Sequence, residues 1–431
     1  MTRSARRPTW LVASLLATIV GLASPPSRGQ DKPPPAGLDE WKKLEPTPEL
    51  ANYRKQLQAG VFGDDEKTFL QQTALPHIAL PKNRPEIDRI RRKMIDRLCV
   101  GDPTSDLKAA TGAMQTVTDF MVRLAADTKA ETVSRVNAVL MIGELRGSAN
   151  KPWAPAAAAL TSIFGNDAMP AAVRIAAASG LARHVDADPT ARATDVGPAL
   201  VKIAGAPLAD VDPVAANWLR SRAFSMLARM KDAAPAGTVA AAAQAMLDAA
   251  RPLDDRVRAA AAVGACVKNP GDTDIAAAVT GIRDLAVAAV SSTKARAERR
   301  DLAVQLAGGG PVMREMEFPP EGGLEGEGTG PEQPYRRDAW RLATLADAVA
   351  ATDGAGGLAR FAGAGTDAAN TLAKTLREAA TLLDEAPDAF ALDEVIGKLP
   401  AGAPPADAAS PIAPASEPAP VDGGGTPFGN P

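Results

Sequence analysis

From Leu107 onward, apolar side chains return every three to four positions, in stretches several turns long separated by short polar breaks. That spacing predicts helices, and no stretch alternates as a half-buried strand would. The predicted helices fall in pairs: Leu107–Ala126 with Glu131–Leu145, Trp153–Phe164 with Ala171–Val185, Val196–Ile203 with Val214–Met230, Thr238–Ala250 with Asp254–Val267, and Ile275–Val290 with Lys294–Leu306. The breaks carry turn chemistry, as in Gly165-Asn166-Asp167, Asp188-Pro189, Asp212-Pro213 and Asn269-Pro270-Gly271-Asp272. Upstream, Ile87, Ile90, Met94 and Leu98 give one apolar face to a helix starting near Pro85. Downstream, helices are predicted over Tyr335–Ala351, Thr366–Asp384 and Ala391–Leu399, with Trp340, Leu342, Leu345 and Val349 on the buried side of the first.

The second helix of each pair repeats a pattern. Arginines at 135, 174, 220, 256 and 300 are each followed three residues later by alanine, and eight residues later by Gly143, Ala182, Ala228, Gly264 and Gly308. Repetition at intervals of 36 to 46 residues in a helical chain predicts an α-solenoid, a stack of helical hairpins. Arg135-Val-Asn-Ala-Val-Leu-Met-Ile-Gly, Arg174-Ile-Ala-Ala-Ala-Ser-Gly-Leu-Ala and Arg256-Val-Arg-Ala-Ala-Ala-Ala-Val-Gly resemble the second helix of HEAT repeats, over residues 103–308. The chain lacks the first-turn proline and aspartate that many HEAT repeats carry. Some HEAT-repeat enzymes hold iron through His-Glu pairs, and this sequence has no His-Glu dipeptide, so the resemblance implies no hydroxylase. What it implies is an all-α fold of about five HEAT-like hairpins, closed by a C-terminal helical section and a disordered tail. The repeat arginines have two readings: a cationic ladder for an acidic partner, or guanidiniums that bond carbonyls and acids of the neighbouring hairpin.

Composition sharpens the boundaries. Residues 1–29 have a basic start (Arg3, Arg6, Arg7), the apolar run Trp10–Ala23 and a small-residue site before Gln30, the pattern of a secretory signal peptide. Residues 30–84 read as a proline-rich, irregular leader with one short helix over Pro48–Gln58, ahead of the solenoid at 85–308. Residues 309–334 hold six glutamates among Gly and Pro, an acidic linker too polar to fold alone. The helical section follows at 335–399, and 400–431 is Pro, Ala and Gly with almost no apolar bulk. No other segment reads as spanning a bilayer. Apolar residues make up 46% of the chain but aromatics only 4%, so the core is expected to be thin and alanine-rich.

Loss of the four arginines in 1–29 takes the net charge from −3 to −7, a poor balance for nucleic acid. Cys99 and Cys266 could pair after export or sit as buried thiols. The two histidines, His77 and His184, stand apart from any other ligand, and CxxC, HExxH, GxSxG and phosphate-loop patterns are absent. Neither a cofactor nor a metal is expected, and the chain reads as a non-enzyme. Two basic clusters, Arg89, Arg92, Lys93 and Arg97 on one helix and Lys294 and Arg296 on another, are the candidate contacts for a partner or an anion. The expectation is an exported interaction scaffold of the periplasm or cell envelope that binds another protein. The alternative is a module for an anionic envelope polymer or membrane surface.

Overall fold

The computed structural model describes residues 47–99, 107–147, 150–208, 210–306, 333–351, 356–384, 393–394 and 397–399. Residues 1–29, read above as a signal peptide, nearly all of the acidic linker and the tail lie outside these residues. The described residues are helical, with one isolated bridge between Arg146 and Pro152 in place of any sheet.

Among the described residues fifteen α-helices follow one another. α1 spans Pro48–Gln58, α2 Asp64–Thr68, α3 Ile87–Met94, α4 Leu107–Ala126 and α5 Thr132–Glu144. α6 spans Ala156–Gly165, α7 Ala171–Ala187, α8 Pro189–Asp195, α9 Gly197–Gly205 and α10 Pro213–Met230. α11 spans Thr238–Leu247, α12 Leu253–Cys266, α13 Ile275–Leu306, α14 Gln333–Val349 and α15 Thr366–Asp384. Helix starts follow the local chemistry. Thr47, Asp188 and Asp212 each precede a proline and accept backbone N–H bonds from the first turn, Asp212 from Val214 and Ala215 at 3.0 and 3.2 Å.

The packing is pairwise. α4 lies on α5, α6 on α7, α9 on α10, α11 on α12 and α13 on α14. The second members also pack on one another in the order α5, α7, α10, α12, α14. This layer is the core. In α7 the residues from Ala172 to Ala178 are all buried, because the helix meets its own partner on one side and α5 and α10 on the others. Small residues let the layer close up. A Cβ on Gly143 of α5 would stand 2.8 Å from the Cα of Gly180 in α7, and one on Gly264 of α12 would stand 2.5 Å from the Cα of Ala348 in α14. Gly264→Ala gains about 1 kcal/mol of helix propensity but must push α14 off, an overpacking cost of about 1–3 kcal/mol or more. A net loss of stability in urea unfolding is the expected result; an unchanged or raised midpoint would contradict this contact.

Three expectations from sequence need correction. Residues 64–86 are not irregular: α2 runs into a π-helical turn at Phe69–Ala74 and 3₁₀ turns at Leu75–Ala79 and Pro81–Glu86. Pro76 and Pro81 sit in first turns, where proline is tolerated, and Leu70, Leu75 and Ile78 are fully buried against α3, α4 and α5. The fifth pair is also different. Ile275–Leu306 is one helix, since Ser291-Ser292-Thr293 contains neither glycine nor proline, and the Thr293 hydroxyl donates back to the Ala289 carbonyl at 3.2 Å. Its partner is α14, beyond the acidic linker, so the paired array does not end near Gly308. Finally, Ile275–Ala295 is long and apolar enough to cross a membrane by length and composition. Here Ile282, Leu285, Ala286, Ala289 and Val290 are buried in the helical packing.

Candidate functional site

The repeat arginines point inward. Nε of Arg135 donates to the Ala125 carbonyl at 2.7 Å, Nε of Arg174 to Phe164 at 3.0 Å and Nε of Arg256 to Met246 at 2.9 Å. Each acceptor lies ten residues back and is the penultimate residue of the first helix in the same pair. Carbonyls there have no partner within their own helix, and a cation suits the negative end of the helix dipole. In these pairs the arginine is the fourth residue of its helix, after a five-residue connection. Arg220 is the eighth residue of α10, after a seven-residue connection, and reaches the Ala206 and Pro207 carbonyls and Asp255 of the next pair. Three of the four therefore clasp their own hairpin through Nε, while Nη2 of Arg135 also reaches Met169 Sδ of the next pair at 3.6 Å. The side chain of Arg300 is outside the described part.

At about 100° per residue, positions two and nine after the anchor lie on the opposite side of the helix. In α10 these are Arg222 and Arg229, in α12 Arg258, and in α7 Arg183, all part-exposed. Sequence reasoning missed them, although Arg220-Ser-Arg222 and Arg256-Val-Arg258 carry the signal: an arginine at anchor plus two in consecutive repeats. Arg258 Nη1 donates to the Ser225 hydroxyl at 2.7 Å, and its guanidinium stacks 4.6 Å from the centre of the Trp340 ring. The Nε atoms of Arg222 and Arg258 are buried without a hydrogen-bond partner. Burial, and then repulsion from Arg229 and Arg258, pulls Arg222 down to about 10, so it remains charged at neutral pH.

The acids close by all have arginine partners. Asp186 pairs with Arg229. Asp254 accepts from Arg337 at 3.0 Å and Arg341 at 2.6 Å; burial pushes its carboxyl up, but the two guanidiniums outweigh it and hold it below the ordinary value. Asp255 is fully buried and accepts from Arg220, Arg251 and the Ser221 hydroxyl at 3.2–3.3 Å, yet burial outweighs the arginines and holds it above the ordinary value.

The basic residues singled out from sequence are dispersed. Arg89 pairs with Glu86 at 3.3 Å, Arg92 is exposed and Lys93 part-exposed. Arg91, between them, is buried and bonds Asp88, Glu144 and Asn137, which ties α3 to α5. Arg97 lines a depression of about 290 Å³ with Leu50, Ala51, Arg54, Lys55 and Gln58. Lys294 pairs with Asp393 at 2.6 Å and Glu298 at 3.5 Å, and lies on α13, which packs with α12 and α14 rather than beside α3. The side chain of Arg296 is not among those described.

Catalytic chemistry has little to draw on among the described residues. No three of His, Cys, Asp and Glu are grouped to hold a metal. The Ser179 hydroxyl donates to the Ile175 carbonyl at 3.1 Å within its own helix. Cys266 is a free, buried thiol that donates to the Leu227 carbonyl at 3.3 Å, and burial pushes it up to about 12, far from a reactive thiolate. His77 and His184 are both buried and both lowered to about 4, chiefly by burial and for His184 also by Arg192 and Arg183. No family model, curated protein or solved structure matches the chain.

Proposed function

We propose that the chain is an exported, non-enzymatic interaction scaffold built as a HEAT-like solenoid, binding another protein of the cell envelope along its second-helix layer. The observation that carries the reading is the thrice-repeated clasp, Arg Nε to the penultimate carbonyl of the preceding helix. Equivalent bonds at equivalent positions are what tandem copies of one hairpin produce, and stacked copies present a long continuous face suited to binding. The N-terminal segment supports export.

Two measurements test this. In expression of the full chain, the mature protein is expected in the envelope or periplasmic fraction with its N-terminus at Gln30. Affinity purification of residues 30–431 from that fraction is expected to recover the same partner repeatedly and at any moderate salt. Cytoplasmic retention removes the export claim, and no reproducible partner removes the scaffold claim.

A second reading rests on the depression where Arg54, Lys55 and Arg97 converge with no acid in its lining. There the chain would hold an anionic polymer or membrane surface. Retention on anionic liposomes that falls steeply with salt, and is lost in Arg54→Gln/Arg97→Gln, would favour it over the scaffold.

A further inference from the structure

We propose that Arg222, Arg229 and Arg258 form a docking site for an extended acidic segment of a partner protein, whose carboxylates pair with guanidiniums on successive second helices. The inference rests on the scaffold reading for the existence of a protein partner, but not for the site itself. Its basis is a local charge imbalance. Three arginines from α10 and α12 converge on one part-exposed face, and the only carboxylate among the described residues that pairs directly with any of them is Asp186, on Arg229. Asp254 and Asp255 attract Arg258 without an ion pair to it, and their direct partners are Arg337, Arg341, Arg220 and Arg251. Part-buried cations are costly to keep unless something pairs with them, and a carboxylate from solvent would meet these three on their exposed side.

The chemistry of the missing counter-group follows from the arginine fork and its surroundings. A guanidinium presents parallel N–H donors that fit a planar carboxylate. Neighbouring packed helices lie roughly 8–10 Å apart, and an extended chain advances about 3.3 Å per residue, so an acid at every third residue reaches from Arg222 on α10 to Arg258 on α12. Beyond Arg258, the part-exposed residues of this face of α12 are Ala261 and Ala265, which leave room for a backbone. Trp340, already stacked on Arg258, offers an apolar wall at the far side. A nucleic acid or bilayer would meet the chain's net negative charge at long range, whereas a short segment is read within a Debye length of about 8–10 Å.

The probe is a fluorescent peptide of Glu-Gly-Gly repeats, titrated with the mature chain at about 50 mM salt and followed by polarisation. Saturable binding is expected, weakening steeply with added salt, and a Lys-Gly-Gly peptide is expected not to bind. Arg222→Gln is expected to weaken binding at an unchanged melting temperature, and Arg222→Gln/Arg258→Gln to weaken it roughly tenfold or more while melting lower, because Arg258 also bonds Ser225 and stacks on Trp340. Arg222→Lys, which keeps the charge and loses the fork, is expected to lose affinity several-fold. The proposal is overturned if the wild-type chain does not bind the peptide, if the double variant binds as tightly, or if Arg222→Gln melts lower and that arginine therefore holds the fold. Displacement of the peptide by an equal concentration of inorganic phosphate would also overturn it, by reducing the site to one for a simple anion. Failure of either reading is separable: an envelope partner still captured by the double variant leaves the scaffold standing without this site, and peptide binding without any captured partner does the reverse.

Discussion

Acidification from pH 7 to pH 4.5 is expected to cost the fold roughly 5 kcal/mol through two histidines alone, apart from what the carboxylates contribute. His77 and His184 are buried, and both are lowered from 6.5 to about 4. The unfolded chain therefore takes up protons below about 6.5 while the folded chain does not, and stability falls with pH across that interval. It is fully present above the unfolded value, declines through the window, and levels off once the folded value is passed near 4. A shift of this size is worth roughly 3 kcal/mol for each residue. The cause differs in detail. For His77 it is burial, in a turn where the Asn83 amide donates to the His77 carbonyl at 3.0 Å. For His184 burial is joined by the charges of Arg192 and Arg183. Urea unfolding at the two pH values, on the wild type and on His77→Gln/His184→Gln, checks the sign and size. The double variant is expected to lose most of the dependence between pH 6.5 and 4.5, and an unchanged slope there would refute the assignment.

The second large effect separates two neighbouring aspartates. Asp254→Asn is expected to destabilise the fold by about 3 kcal/mol, the lower end of what breaking a buried ion pair costs, because Arg341 keeps Asp338 as a partner. Asp254 belongs to α12 and its arginines to α14, so the loss falls on the joint between these helices. Asp255→Asn is expected to cost little. Its carboxyl is held above the ordinary value despite Arg220 and Arg251, so its charge is not a net gain where it lies, and the amide preserves the shape. The depressed carboxyl of Asp254 contributes stability above the unfolded carboxylate range, lost as the pH falls through it. Chemical denaturation of the two variants at pH 7 decides the matter. Equal losses, or a larger one for Asp255→Asn, would show that the Asp255 charge stabilises the fold after all.

Local chemistry made much of the fold legible in the sequence. Asp-Pro steps marked the starts of α8 and α10, and apolar spacing located the pairs from α4 to α12. The leader misled because prolines that bar a long helix are compatible with short first turns. The fifth pair misled for a converse reason. The Arg300 pattern suggested a second helix, but without a breaker after Val290 the helix simply continues, and the true partner comes after the linker. The arginine cluster was half visible. Arg222 and Arg258 occupy one repeat position, yet whether an arginine is paired depends on residues such as Asp254 and Arg337, 83 positions apart, for which the sequence carries no local signal. The basic residues on α3 attracted notice by density alone, and density does not say that Arg91 turns inward.

The connection lengths also set an order of assembly. Four hairpins close over five to seven residues, and in three of them the arginine clasp is completed within ten residues of chain. Such units form as soon as their own residues are available, with little demand on the rest of the molecule. α13 and α14 are separated by 26 residues, and by loop-length scaling alone their closure costs about 1.5 kcal/mol more than that of a five-residue connection. The pair also finds its docking partner, α12, only after that hairpin is in place. Any of the four short hairpins can therefore nucleate the stack, and closure of the α13–α14 pair is the costlier step that follows.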